Sequence, residues 1–542
     1  MATISFSRLA NLRSLIVDDM PTMRQNMRTQ LGQLGINRVD QASTPDEVIK
    51  LVRKENYDVI LCDYNLNKET NGQQLLEYLR SQNLLSAATI FIMVTAETNY
   101  DLVASAAEFQ PDAYMVKPLT GTKIAERIER LLDKQYALRP ISGRLKLKDL
   151  AGAIGECDRV LAAEPKWIVD ILKIKGVALL ELGKPEEARE VYEKALRARS
   201  DMIWARLGVA KCDQIMGKLD EAKATTLEVI AQNPQYILAY DLLAQIAEQQ
   251  GNPQDALDAL NRSYQVIPSA RRSRLVGDAA YVSGDLEQAR AAFDKALTHT
   301  KGSLTAQPSD VLSLAQVCVD AGDAAKGLEV LAAASKTYAE SPAFAMTQAA
   351  VQAQAHVKLG DPEAAEKAFE VAKSLSQGAR ADTANLALAK AAFSIGRDQE
   401  GADILSSAVK ADHENTRMVS LAHKVLKDTG KESMAAEVVE QSVNQAVAIV
   451  TEANTMMRNM QYDESLAKLE EALQVMPENT GVLLAAAQLH LLWMSQKGLN
   501  LDYVERVNNY LSKLDLLMPG NERVSKMYRF LRETLSRVAK KA

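Results

Sequence analysis

Four glycines, Gly183, Gly217, Gly251 and Gly284, recur at an almost constant interval, the last step one position shorter than the others. Five residues after each comes an alanine: Ala188, Ala222, Ala256 and Ala289. Nine residues after each a large residue is expected; Tyr192, Leu260 and Phe293 supply it, while Thr226 breaks the pattern in the second unit. Pro234 and Pro268 lie at the same distance beyond Gly217 and Gly251. A fixed period of this length means one small unit repeated and stacked, because a single unit cannot bury its apolar face alone. The composition agrees. The chain is 47% hydrophobic but only 5% aromatic. Ala, Leu, Glu, Lys and Gln are plentiful and Pro is scarce after residue 140, a mixture that suits packed helices better than β-sandwiches.

The pattern continues less regularly. Gly322, Gly360, Gly396 and Gly430 follow at longer intervals that shrink back to the first one. Gly360-Asp-Pro-Glu-Ala-Ala365 with Phe369 is a strong unit, and Met460 to Ser465 with Leu469, Ala472 and Pro477 is another. Ala153, Cys157 and Pro165 suggest a partial unit at the start, and 480–518 reads as a further helix pair. This spacing resembles the tetratricopeptide repeat (TPR), a helix–turn–helix unit of about 34 residues. The resemblance implies an all-α superhelical solenoid over 148–520, closed by a capping helix at 521–542. Its concave surface would bind a peptide or protein segment, the target of the TPR groove. Trp167, Trp204 and Trp493 read as packing residues. Glu471-Ala472-Leu473 spells the signature of cyclic-di-GMP phosphodiesterases, but it sits in a repeat's second helix without metal ligands around it and is rejected.

Residues 10–136 follow a different rule. Apolar runs at Leu12–Val17, Val59–Cys62, Thr89–Val94 and Ala113–Val116 end at Asp18–Asp19, Asp63, Thr95 and Lys117. Helical spacing occupies Met20–Leu34, Gly72–Arg80 and Thr120–Gln135, with weaker signals for a strand near Ile36–Gln41 and helices near Pro45–Lys54 and Asn99–Phe109. Five βα units of this kind predict a doubly wound parallel sheet covered on both faces. Ligands of such sheets sit beyond the carboxyl ends of the strands, where all the singled-out residues fall. Asp18–Asp19 and Thr95 could instead be helix caps, and Lys117 a loop lysine, if each stood alone.

Taken in order, these residues resemble the receiver domain of bacterial two-component response regulators. The matching features are Asp18–Asp19, Asp63 after the third strand, Thr95–Ala96 after the fourth and Lys117–Pro118 after the fifth. The resemblance implies a five-stranded flavodoxin-like domain whose Asp63 accepts a phosphoryl group. Asp18, Asp19 and Asp63, with the backbone carbonyl of Asn65, would hold Mg²⁺. Lys117 and Thr95 would contact the phosphoryl oxygens, and Tyr114 would be the switch aromatic. Asn65 and Glu97 fall where side chains commonly tune dephosphorylation. One departure stands out: Gly72 follows Asp63 one position later than the family pattern has it, and the intervening loop lacks proline.

The chemistry is coherent. A carboxylate can act as a nucleophile toward phosphorus, and phosphoryl transfer needs mainly positioning and charge stabilisation. Three clustered carboxylates repel one another, and a divalent cation relieves this. The expected partners are a sensor histidine kinase or a phosphotransfer protein, and the receiver face could also support a dimer. The expected output is protein binding rather than catalysis. A phosphorylation-independent scaffold and a transcriptional regulator with an unrecognised DNA-binding surface are the alternatives.

The remaining signals exclude more than they suggest. Net charge is −6, which speaks against a nucleic-acid partner. Arg271–Arg272–Ser273–Arg274 reads as a solvated helix start. Four separated cysteines without CxxC spacing fit buried residues in a reducing compartment. The apolar run Val482–Trp493 is too short to span a bilayer, and the N-terminal stretch lacks a signal-peptide pattern, so a cytoplasmic protein is expected. Arg139–Gly143 is expected to lie in a linker covering 137–147.

Overall fold

The computed structural model has five parallel strands at its start: β1 Arg13–Val17, β2 Arg38–Ala42, β3 Val59–Asp63, β4 Ile90–Thr95 and β5 Ala113–Val116. The structure describes residues 6–66, 70–96 and 111–517, apart from 83, 87, 147–148, 164, 302, 339–340, 377–382, 412–415 and 460, and scattered positions between 524 and 535. The helix expected near Asn99–Phe109 lies outside the described residues, and so does most of the segment expected to cap the array at 521–542.

The sheet order is β2-β1-β3-β4-β5. β3 and β4 are buried along their whole length, as expected for central strands covered on both faces. One face packs Met27 and Leu31 of the helix Pro21–Gln33 with Ile124 and Ile128 of the helix Gly121–Lys146. The other packs Val48, Leu75, Leu76 and Leu79 against Cys62, Phe91 and Met93. The chain reverses direction across the sheet between β1 and β3, which creates a crevice at their carboxyl ends.

The helix Gly121–Lys146 corrects one expectation. Residues 137–146, expected to lie beyond the helix ending at Gln135, continue it and contain Pro140. Leu138 and Ile141, on either side of the proline, are buried. Their burial outweighs the local cost of a proline within the helix.

Beyond it the chain is helical, in antiparallel pairs. The turn glycines Gly183, Gly217, Gly251, Gly284, Gly322, Gly360, Gly396 and Gly430 all have φ between 70° and 89°. Each ends a first helix, where only a residue without Cβ adopts this conformation at no cost. At the first, Gly183 N–H donates to the Leu180 carbonyl and Lys184 N–H to that of Leu179. The large residue nine positions later has a steric partner. A Cβ at Gly176 or Gly208 would come within 2.6 or 2.7 Å of the Tyr192 ring, so one aromatic fills the slot between two glycine-bearing helices. Thr226 keeps the slot buried and satisfies its hydroxyl by donating to the Ala222 carbonyl at 2.6 Å.

By internal contacts the chain divides into two compact units. One comprises 1–143, 152–276 and 294–307; the other comprises 144–151, 277–293 and 308–542. The first contains the sheet domain and the early repeats, the second the later repeats. No helix among the described residues is long and apolar enough to cross a membrane.

Candidate functional site

The carboxyl ends of β1, β3 and β5 bring Asp18, Asp19, Asp63 and Lys117 together. Carboxylate oxygens of Asp18, Asp19 and Asp63 all lie within 4.8 Å of one another. Lys117 Nζ donates to Asp18 at 3.2 Å and to Asp63 at 3.1 Å. Asp18 is fully buried, Asp63 nearly so, and Asp19 faces solvent. Asp18 also accepts the Met20 N–H at 2.9 Å.

Burial pushes the Asp63 carboxyl above its ordinary value, and its bonds to Lys117 only partly reverse this. Burial works against the Lys117 ammonium, yet its bonds to Asp63 and Asp18 prevail and hold it above an ordinary lysine. Among the described residues, the pocket therefore sets three carboxylates, Asp18 and Asp63 buried and Asp19 exposed, against one ammonium, a surplus of negative charge. Such a set of oxygens fits a hard divalent cation such as Mg²⁺.

The other singled-out residues border this pocket. Thr95 ends β4 and is buried; its carbonyl accepts the Lys117 N–H at 2.7 Å. Tyr114 lies half-buried on β5, opposite Met93 of β4. Asn65 is exposed, two residues beyond Asp63. Glu97 falls outside the described residues.

Two further residues shape the site, and the first of them escaped the sequence reading. Arg24, one turn into the helix after β1, donates to the backbone carbonyls of Asp18 and Asp19 at 2.6 and 3.1 Å, which anchors the acidic pair. Gly72 was noted for its spacing alone. Its N–H donates to the Tyr64 carbonyl at 2.7 Å, and a Cβ there would lie 2.3 Å from the Asp63 carbonyl oxygen. Any side chain at 72 would displace Asp63, so the glycine is demanded by close approach and not only by the turn.

A second charged cluster, also missed, lies in the later repeats. Lys390 Nζ donates to Asp320 at 2.9 Å, Asp428 at 2.7 Å and the Tyr281 hydroxyl at 3.2 Å. Tyr281 donates to Asp320 at 2.7 Å. Lys424 bonds Asp428 at 3.2 Å and sits 4.6 Å from the centre of the Tyr281 ring. Burial, followed by the Asp320 charge, drives the Tyr281 phenol well above its usual value.

The arginine cluster also differs from expectation. Arg272 is buried and paired with Asp241, and Arg274 donates to the Thr305 carbonyl at 3.0 Å. These are internal tethers, not a solvated helix start. All four cysteines are buried thiols.

The sheet order and the acidic crevice define a receiver-type domain, and sequence comparison agrees. Residues 14–129 match the response regulator receiver domain family, and 179–246, 243–310 and 350–415 match tetratricopeptide repeat families. Over 123 residues the chain is 31% identical to the chemotaxis protein CheY of Pseudomonas aeruginosa, covering 98% of that protein and 23% of this chain. Chemotaxis protein CheY-3 of Vibrio cholerae is 28% identical over 124 residues, with 94% of it covered. Among solved structures, a tetratricopeptide repeat protein from Parabacteroides merdae aligns over 47% of this chain and 96% of its own, with 16% identity and a TM-score of 0.31. The chain belongs to the response regulator receiver family through its first domain, which is followed by tetratricopeptide repeats.

Proposed function

We propose that this chain is a phosphorylation-controlled adaptor, with Asp63 as phosphoacceptor and the repeats as the surface that carries the output. The observation that carries this reading is the pairing of the buried Asp63 carboxylate with Lys117 at 3.1 Å inside a pocket of surplus negative charge. Asp63 Oδ attacks the phosphorus of a phosphohistidine on a sensor kinase or phosphotransfer protein. The phosphorus–nitrogen bond breaks, and the leaving imidazole nitrogen takes up a proton. Lys117 stays close to the incoming phosphoryl oxygens and offsets their charge, and the Thr95 hydroxyl donates to one of them. Asp18, Asp19 and Asp63, with the Asn65 carbonyl, would hold Mg²⁺, which supplies charge neutralisation for the transferred group.

The modification adds about −1.5 to −2 charges and three acceptor oxygens. Movement of Thr95 toward them shifts the end of β4, and Tyr114 on the neighbouring strand turns inward. This is a two-state shift biased by local contacts. The repeats then present their groove to a protein target.

Incubation with Mg²⁺ and acetyl phosphate tests the reading by intact mass. We expect a gain of about 80 Da, one phosphoryl group, that is lost in Asp63→Asn and without Mg²⁺. If no adduct forms even with rapid quenching, the phosphorylation-independent scaffold becomes the better reading.

A further inference from the structure

The connection from Lys301 to Gln307 has a property the repeat pattern does not require. It joins the helices Leu286–Thr300 and Pro308–Asp320 with seven residues, whereas the connection before it, Ile267–Ser269, has three and the two earlier ones have four each. This longer connection supplies most of the lengthened step from Gly284 to Gly322. Leu304 is the sole large apolar residue in Lys301–Gln307. It packs against the apolar cluster on one face of the receiver sheet that includes Phe91 and Met93, against which Tyr78 and Tyr114 also pack.

The loop is built to present that residue. Ser303 is buried; its N–H donates to the Thr300 carbonyl at 2.9 Å, and its hydroxyl lies 3.1 Å from that of Thr305. Arg274 holds the Thr305 carbonyl, and Arg272, two residues away on the same helix, is buried against Asp241. The next connection is equally long, Ser335–Ser341, but its Tyr338 packs on Phe344 of the following helix, with ring centres 5.3 Å apart. One insertion serves its own repeat; the other reaches the receiver.

We infer that the loop 301–307 is the receiver's intramolecular partner, and that Leu304 reads the state of Asp63 through the apolar cluster it shares with Tyr114. The inference rests on the phosphoacceptor reading of Asp63. β3 and β4 are paired at Asp63 and Val94, and β4 and β5 at Met93 and Tyr114. A shift at Thr95 and Tyr114 therefore alters the surface on which Leu304 rests. Phosphorylation loosens the loop and frees the repeats it joins. Because coupling is reciprocal, releasing Leu304 makes the receiver easier to modify by the same factor.

Hydrogen exchange on the full chain tests this, with Mg²⁺ and beryllofluoride as a phosphoryl mimic and the acetyl phosphate adduct as a separate readout. Exchange in 301–307 should quicken at least about fivefold with the mimic, the low end of ordinary coupling. It should not respond in Asp63→Asn. Leu304→Asp should exchange fast from the outset, gain nothing from the mimic and take up the mimic at lower concentration. Leu304→Ala gives the same test with a smaller change if the aspartate variant does not fold. An adduct without any change in 301–307 overturns the inference and leaves the phosphoacceptor reading intact. Absence of the adduct overturns both.

Discussion

The acidic pocket and the Lys390 cluster both gather carboxylates and ammonium groups at largely buried positions, with Asp19 at the solvent rim of the first, yet their balance differs among the described residues. Asp18, Asp19 and Asp63 face one lysine. Asp320 and Asp428 face two, Lys390 and Lys424, with the Tyr281 hydroxyl closing the network. Surplus charge leaves something for a ligand to neutralise. A balanced, mutually bonded set leaves nothing for a ligand to do and acts instead on the fold. The second cluster also departs from the usual behaviour of repeat arrays, in which each unit contacts only its neighbours. Tyr281 precedes Gly284 and Lys390 precedes Gly396, so a direct bond joins units three repeats apart.

The largest effect should come from breaking the balanced set. Lys390→Met leaves the buried Asp320 carboxylate without an ammonium among the described residues, while Asp428 keeps Lys424, and should cost about 3–5 kcal/mol, measured as a fall in the denaturant midpoint of the later repeats. Removing the charges in step, as Lys390→Met with Asp320→Asn, should recover much of that loss, because Asp428 stays paired with Lys424. A double variant as unstable as the single one would mean that the charges themselves hold the repeats.

A smaller effect sharpens the other half of the contrast. At a Mg²⁺ concentration of about 100 times its dissociation constant, the receiver should gain about 2.7 kcal/mol by linkage, seen as slower hydrogen exchange in β1 and β3. Exchange around Lys390 should not respond. Equal stabilisation of both clusters would remove the distinction drawn from charge balance.

The smallest expected effect is steric. Gly72→Ala forces a methyl group against the Asp63 carbonyl and should cost about 1–3 kcal/mol, as overpacking does. Phosphoryl uptake should fall with it, while the Lys390 region keeps its stability. An alanine variant with unchanged uptake would show that the Asp63 backbone has room to yield.

Much of this was legible beforehand because the signals are local. Short apolar runs with chemistry-bearing residues at their ends gave the strands and the pocket. Glycines at a constant period gave the helix turns, since a positive φ restricts the residue type wherever it occurs. Pro140 misled the reading because its cost is local, whereas the burial of Leu138 and Ile141 beside it is tertiary. Arg272 misled it too: an arginine triplet looks solvated until Asp241, on an earlier helix, is found against it.

Sequence alone determined the parallel sheet, the order of residues at its carboxyl edge, the helical repeat and its turn glycines. Each depends on spacing within a few residues or on one recurring period. Only the tertiary structure decided that the lengthened connection before Gly322 carries Leu304 to the receiver, that Arg24 and Gly72 shape the acidic pocket, and that Lys390 meets Tyr281. Those contacts join positions far apart along the chain, and they arise from how packed helices and strands close on one another, which no local pattern encodes.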